Sequence, residues 1–515
     1  MILCLKGHAY RYEMENICRL FLPQEDIRVT DTFPEGTEGV RAAALLETGD
    51  GATITCRLTL EDFDETLSEQ LDSTVPGFSE ECELRMATLL YRLFVRLFGF
   101  EQSWGIVTGV RPVKLLRRMT AERGAEAALA WFRDRLLVSE EKLALCEKTL
   151  QQEDRLLSLS PPESFSLYVS IPFCPTRCDY CSFVSHTVQR AAKLIPPYVE
   201  LLQQELVRTG EIARDLGLRL ETVYFGGGTP TTLTAAQLES LFRTVEQAFD
   251  LSHLREYTVE AGRPDTVTED RLRAIRAAGA GRISINPQTL RDEVLAAIGR
   301  RHTAAQFYDA FSLARRVGFD NINTDLIAGL PGDDAAGFAD TLDRILELSP
   351  ESVTVHTLSM KRASNLVVQR RADYRVRDDA MKMVARTAAL LPEAGYHPYY
   401  LYRQSRTVGN QENVGWAKEG CEGLYNVYIM DETHTILACG AGAVSKLKQP
   451  GTNYLERIFN YKFPYEYNAD LPEMLRRKER VYGFYEQYVQ PLQLEKGTAA
   501  SAEDAGAGGN QSTRA

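Results

Sequence analysis

No stretch of about 18 consecutive apolar residues occurs in the sequence, so no membrane-spanning helix is expected. The opening residues, MILCLKGHAYRYE, lack both the basic n-region and the small-residue cleavage site of a secretory leader. Basic residues are in deficit: 59 Lys and Arg against 71 Asp and Glu leave a net charge of −12. Such a surface disfavours nucleic acid and anionic membranes as general partners, and an anionic substrate would need a local basic pocket. Cysteine is scarce, 10 in 515 residues, too few for a disulfide scaffold. Cys4, Cys18, Cys56, Cys82, Cys146, Cys421 and Cys439 stand alone and read as buried thiols of a reducing, cytoplasmic compartment. The hydrophobic content of 44% is ordinary, so packed cores are expected, in about two to four domains.

The chain divides into four parts by pattern. Residues 1–160 form an α+β extension: MILCLK, GVRAAALLE and GATITCRLTL read as strands. Met86, Leu89, Leu90, Leu93, Phe94 and Leu97 then recur at helical spacing and read as a core stripe. Arg111, Lys114, Arg117 and Arg118 read as a solvated helix face, and LSLSPPES as a linker. Residues 161–376 alternate strand and helix six times, with SLYVSIP, ETVYFGG, EYTVEAG, RISINP, NINTDLIAG and ESVTVHTL as strands. The expected fold class is α/β, a partial (βα)6 barrel whose chemistry lies at the C-terminal ends of its strands. Residues 377–495 form a C-terminal α+β region with an aromatic strand, YHPYYLYRQ, and a glycine-rich loop, LACGAGAVSK, expected to cover the substrate. Residues 496–515 are small and polar and are expected to be disordered.

Three cysteines are clustered. YVSIPFCPTRCDYCSF places Cys174, Cys178 and Cys181 in a C-x3-C-x2-C spacing on the loop after the first barrel strand. Thiolates are soft ligands suited to zinc or to iron–sulfur centres. A structural zinc needs four protein ligands, with His186 available as the fourth. A [4Fe–4S] cluster on three cysteines leaves one iron open to a small molecule. After the second strand, Gly226, Gly227, Gly228 and Thr229 allow close backbone approach and expose N–H groups that can hold a charged ligand.

The cysteine spacing followed by GGGTP resembles the radical S-adenosylmethionine (SAM) enzymes. LYVSIPFCPTRCDYCSF, VYFGGGTPT, VEAGRPD, IGRRHT and TDLIAGLPG together resemble the oxygen-independent coproporphyrinogen III oxidase group, over residues ~165–360. HTLSMKRASNL, YYLYRQ, VGNQENVGWAKEGCEGLYNV and ACGAGAVSK are similar to its HemZ-like branch of coproporphyrinogen dehydrogenases. The resemblance implies a [4Fe–4S] cluster on Cys174, Cys178 and Cys181, with one or two SAM molecules. It places SAM contacts on Tyr168, Tyr180, Gly227, Gly228, Thr229, Glu260, Gln288, Arg300, Asp325 and Ser359. A structural ion pair with Arg263 or Arg300 is the alternative for the two carboxylates.

The implied reaction is radical oxidative decarboxylation of propionates to vinyls in heme biosynthesis. It uses a tetrapyrrole substrate and a small electron-transfer protein as reductant. Substrate contacts are expected among Lys361, Arg362, Tyr399, Tyr400, Tyr402 and Arg403. One position departs from the pattern. The established oxidases carry a further cysteine two positions after the third, where this chain has Phe183, as in the heme-chaperone relatives. Heme binding without oxidation, or another radical SAM reaction on a tetrapyrrole, are the alternatives.

Overall fold

Period-two alternation builds the first sheet. Strands β1 (Ile2–Lys6), β2 (Arg28–Thr30), β3 (Arg41–Thr48), β4 (Ala52–Leu60) and β5 (Phe63–Leu71) lie in the order β2-β1-β3-β4-β5. In this computed structural model, β4 turns Ala52, Ile54, Cys56 and Leu58 inward. Helices Arg11–Phe21 and Phe78–Phe98 contribute to the same core, the second through Met86, Leu89, Leu90, Leu93 and Phe94. The described residues are 1–23, 25–33, 39–49, 51–181, 183, 185–359, 377–404 and 406–490. The expected disordered tail and the candidates Lys361 and Arg362 lie outside them.

The second sheet has eleven strands. In chain order, β6 (Ser164–Ile171) is followed by the two-residue pair β7 (Phe173–Cys174) and β8 (His186–Thr187), which form their own small ladder. Then come β9 (Arg219–Gly227), β10 (Glu256–Glu260), β11 (Arg282–Ser284), β12 (Asn321–Ala328) and β13 (Ser352–Thr357). Strands β6, β9, β10, β11, β12 and β13 pair in that order, all parallel, with helices between them. This is the partial (βα)6 barrel; among the described residues no strand pairing closes it.

Residues 397–459 extend both edges of this sheet. On one side β15 (Glu412–Ala417) pairs antiparallel with β13, and β14 (His397–Arg403) pairs with β15. On the other, β16 (Thr435–Cys439) runs parallel to β6 as a seventh parallel strand, followed by β17 (Val444–Lys448) and β18 (Leu455–Phe459). The Gly-rich turn after β16 is pinned to β6: Ser170 Oγ donates to Ala441 O at 2.8 Å, and Ala441 N–H donates to Tyr198 Oη at 2.9 Å.

Three further helices, Pro112–Arg123, Ala125–Asp134 and Glu140–Leu157, join the N-terminal sheet to the barrel. The expectation of a solvated basic face here holds for Arg118 and fails for Arg111, Lys114 and Arg117. Arg111 pairs with Glu432 at 2.6 Å, Lys114 donates to Asp431 O at 3.2 Å, and Arg117 pairs with Asp431 and Glu153. Sequence alone could not supply these acidic partners, which lie more than 300 positions away in the case of Asp431 and Glu432. A second anchor is the buried Glu412, which accepts from Lys142 Nζ at 2.6 Å and Trp104 Nε1 at 2.8 Å. Burial raises this carboxyl, but the ammonium and the indole N–H outweigh it and hold the group below its ordinary range.

Candidate active site

A cavity of about 510 Å³ opens on the inner face of the barrel, toward the C-terminal ends of its strands. Cys174, Cys178, Cys181, Tyr168, Tyr180, Gly227, Gly228, Thr229, Glu260, Gln288, Arg300, Asp325 and Ser359 all line it. Of the expected substrate contacts, Tyr400 and Tyr402 line it too. Tyr399 and Arg403 do not. They fall on the opposite face of β14, where Arg403 is buried and donates to Val107 O and to Asn410 Oδ1 at 2.7 Å.

The cysteine loop is held by backbone bonds. Gly228 N–H donates to Ile171 O at 2.8 Å, Thr229 N–H to Phe173 O at 2.7 Å and Asp179 N–H to Ile298 O at 2.9 Å. A side chain at position 228 would sit 2.6 Å from Phe173 O and 2.8 Å from Ile171 O, so glycine is required there. Hydrogen bonds and positive charge are directed at the sulfurs. Thr229 Oγ1 donates to Cys174 Sγ and Arg263 Nη1 to Cys178 Sγ, both at 3.6 Å. Arg263 also pairs with Asp265 at 3.1 Å, so the expected alternative of a pair with Glu260 or Asp325 is not what it forms. Donors aimed at sulfur and burial of the site are the levers by which a protein tunes an iron–sulfur centre.

A single zinc ion fits less well. Zinc–sulfur bonds of about 2.3 Å bring ligands to within roughly 4 Å of one another. Among the described residues, the set of ligand atoms that converges within 4.8 Å is His397, Glu419 and Glu422, not the three thiols with or without His186. His186 instead packs its ring against Phe463 and Tyr465, at 6.1 and 6.2 Å between centroids. The wider spacing of the thiols suits a multi-iron cluster.

The polar inner face forms a connected network. Asp325 accepts from Asn286 Nδ2 and Asn323 Nδ2, each at 2.8 Å, and faces His356 Nε2 at 3.8 Å. Glu260 accepts from the Tyr224 hydroxyl. Burial and the neighbouring Asp325 charge push the Glu260 carboxyl up to about 7. Burial raises Asp325 too, but His356 and Asn323 outweigh it and hold that carboxyl below its ordinary range. Arg300 donates to Asn286 O at 2.6 Å and to Tyr180 Oη at 3.2 Å. Gln288 has a left-handed backbone, φ 68°, although its N–H and C=O are bonded to Asp325 O and Ile327 N. Its side-chain carbonyl is buried with no partner, the signature of a group kept for a ligand.

Tyr224, Tyr425, Arg282, Asn286, Asn323 and His356 also line the cavity and were not singled out from sequence. Alternation along the strands could have found two of them: Tyr224 lies two residues from Gly226 and Asn323 two from Asp325. Tyr425 stacks on Tyr224 at 4.4 Å and on Tyr168 at 5.9 Å, closing an aromatic wall from a helix that no barrel motif contains.

The curled parallel sheet and its three-thiol loop define a protein of the radical SAM class, and the Radical SAM superfamily model matches residues 168–345. The chain is 36% identical to the oxygen-independent coproporphyrinogen-III oxidase-like protein HemZ of Bacillus subtilis (strain 168), over 88% of this chain and 92% of that one. It therefore belongs to the HemZ-like family of oxygen-independent coproporphyrinogen-III oxidase-like proteins. It is also 30% identical to the heme chaperone HemW of the same organism, over 58% of this chain and 77% of that one. Among solved structures, coproporphyrinogen III oxidase (HemN) from Escherichia coli matches with a TM-score of 0.50 and 23% identity, covering 63% of this chain and 73% of that one. Membership of the radical SAM class implies a [4Fe–4S] cluster and SAM as cofactors.

Proposed function

We propose that the protein is a radical SAM oxidoreductase that converts two propionates of coproporphyrinogen III to vinyl groups, giving protoporphyrinogen IX. The observation that carries this reading is the single cavity on which the three cysteines and all ten candidate SAM contacts converge. Cys174, Cys178 and Cys181 would hold the cluster, and Tyr168, Tyr180, Gly227, Gly228, Thr229, Glu260, Gln288, Arg300, Asp325 and Ser359 would surround SAM. When bound, the two cofactors supply the hydrogen-abstracting radical chemistry. Glu260 and Asp325 suit an ammonium or ribose hydroxyls, Arg300 a carboxylate, and the partnerless Gln288 carbonyl a hydroxyl or amine donor. Buried Tyr400 and Tyr425, with half-buried Tyr402, wall the cavity with aromatic surface, which excludes the water that would quench a reactive species. A small electron-transfer protein would supply the reducing electrons, in a cytoplasmic setting.

One observation favours a second reading, heme binding without oxidation. Phe183, on the loop of the cavity and in place of the further cysteine, leaves 64% of its surface exposed. An anaerobic assay with reduced cluster, SAM and coproporphyrinogen III separates the two. Vinyl product with CO2 release supports the oxidase. SAM cleavage without product, together with tight heme binding, replaces it with the second reading.

A further inference from the structure

We propose that Lys446, Lys448 and Arg457 of the β17–β18 hairpin, with Arg111 and Lys114 of the N-terminal region, form a carboxylate-binding rim that takes propionate side chains of a tetrapyrrole lying in the cavity. The inference rests on the substrate reading above and adds the residues that recognise that substrate.

The placement follows from the strand geometry. Period-two alternation puts Val444, Lys446 and Lys448 on one face of β17, and both Val444 and Lys446 line the cavity. Arg457 is the direct register partner of Lys446 across the antiparallel pair, so it shares that face. From the other side, Arg111 and Lys114 reach Glu432 at 2.6 and 3.9 Å, and Arg457 reaches the same carboxylate at 3.2 Å. The neighbouring Asp431 carboxylate is taken by Arg117. Five cations thus gather around the single carboxylate of Glu432.

Packing gives no reason for this surplus. Like charges placed together destabilise a fold unless something offsets them. The remaining cavity arginines are engaged: Arg300 with Tyr180 and Asn286, Arg263 with Asp265, and Arg282 with Ser352. Among the cavity-lining lysines and arginines of the described residues, only the Lys446 side chain makes no hydrogen bond or ion pair. Burial depresses its ammonium, Glu432 raises it, and Arg111 and Arg457 depress it further. Burial and Lys114 depress Lys448 in the same way, while Glu432 and Asp431 raise it.

The chemistry of the surroundings selects the ligand. Beside Lys446 the wall is Tyr425, Ile429 and Met430, from helix Leu424–Asp431. Lys448 Nζ donates to Thr452 O, and Arg111, Lys114 and Arg457 share Glu432, so the one unpartnered cation is Lys446. An apolar wall next to it, on a rim with more cations than carboxylates, fits a flat macrocycle carrying flexible carboxylates. A chain of net charge −12 can attract such an anion only through a local basic concentration. The rim also gives the N-terminal region a part in the site, because two of the five cations come from it.

The test uses full-length protein with its reconstituted cluster and measures equilibrium binding by fluorescence quenching. The probes are coproporphyrin III, a stable tetracarboxylate, and its tetramethyl ester. Wild type is expected to bind the acid more tightly than the ester. The double variant Lys446→Gln, Lys448→Gln should lose roughly tenfold in affinity per lysine for the acid. It should lose nothing for the ester or for SAM, and its cluster absorption should be unchanged. Arg457→Gln, at a position 46% exposed, is read in the same way and stands in if the double variant does not fold. Variants that bind the acid as wild type does overturn the rim while leaving the substrate reading intact. Wild type that binds neither porphyrin overturns the substrate reading and the rim with it.

Discussion

Strand β4 of the N-terminal sheet buries every second side chain along most of its length, whereas β9 of the barrel is buried on both faces. Both strands alternate, but they alternate between different things. In β4 the second face meets solvent through Thr53, Thr55 and Arg57. In β9 the outward residues Val223 and Phe225 join the core under the helices, while Tyr224 turns inward to the cavity. The same division runs through the next strands, with Val259 against Glu260, Ile322 against Asn323 and Asp325, and Val353 and Val355 against Thr354 and His356. A polar face that water does not bathe must be satisfied by its own members or by a ligand. The unpartnered Gln288 carbonyl and the network around Asp325 show both solutions within one cavity. Among the described residues of the N-terminal strands, only Arg41 and Thr59 are buried polar side chains, and the sheet's apolar side is closed by its own helices.

The largest expected effect lies on the barrel side of this contrast. Cys178→Ser should abolish cluster absorption and SAM cleavage together; an enzyme that keeps both would remove the cysteine loop from the site. Next comes the joint between the regions. Lys142→Ala leaves the buried Glu412 carboxylate without its cation and should cost about 3–5 kcal/mol of stability. By contrast, Leu90→Ala in the N-terminal core should cost about 2–5 kcal/mol with SAM affinity unchanged. Denaturation and SAM binding measured on both variants check this. A Lys142 variant of wild-type stability would mean that the joint does not hold the regions together. The smallest effect is one of pH. Burial and the Asp325 charge push the Glu260 carboxyl up to about 7, so the carboxylate form, the one that would attract cationic SAM, is lost as pH falls. SAM affinity should weaken below pH 7, by up to roughly tenfold per unit, and Glu260→Gln should flatten the profile. A profile that stays flat in the unsubstituted enzyme would take Glu260 out of SAM binding.

The barrel was legible because its motifs are local. The cysteine loop, the glycine turn and Glu260 each sit within a few residues of a strand end, and the fold brings those ends together. The β14 tyrosines were legible only in part. Alternation dictates that Tyr400 and Tyr402 share a face and Tyr399 and Arg403 the other, but not which face meets the cavity; β15 and the N-terminal helices decide that. Illegible altogether were contacts between distant segments: Arg111 and Arg117 with the residues that end helix Leu424–Asp431, Lys142 with Glu412, and β16 against β6. Their sequence neighbourhoods resemble ordinary charged helices and a glycine-rich turn, and nothing within a helical or strand period identifies the partner.

The pairing of β16 with β6 also bears on the order in which the molecule is assembled. The strand that leads into the cysteine loop has one neighbour, β9, made soon after it. Its other neighbour arrives far later, since Ser170 and the Ala441 it holds are 271 positions apart. At about 5–20 residues per second, translation leaves that edge of β6 bare for roughly ten seconds to a minute. Until then an unpaired edge is open to wrong partners. Stable insertion of iron and sulfur is therefore expected to follow synthesis of residue 441 rather than accompany synthesis of the loop.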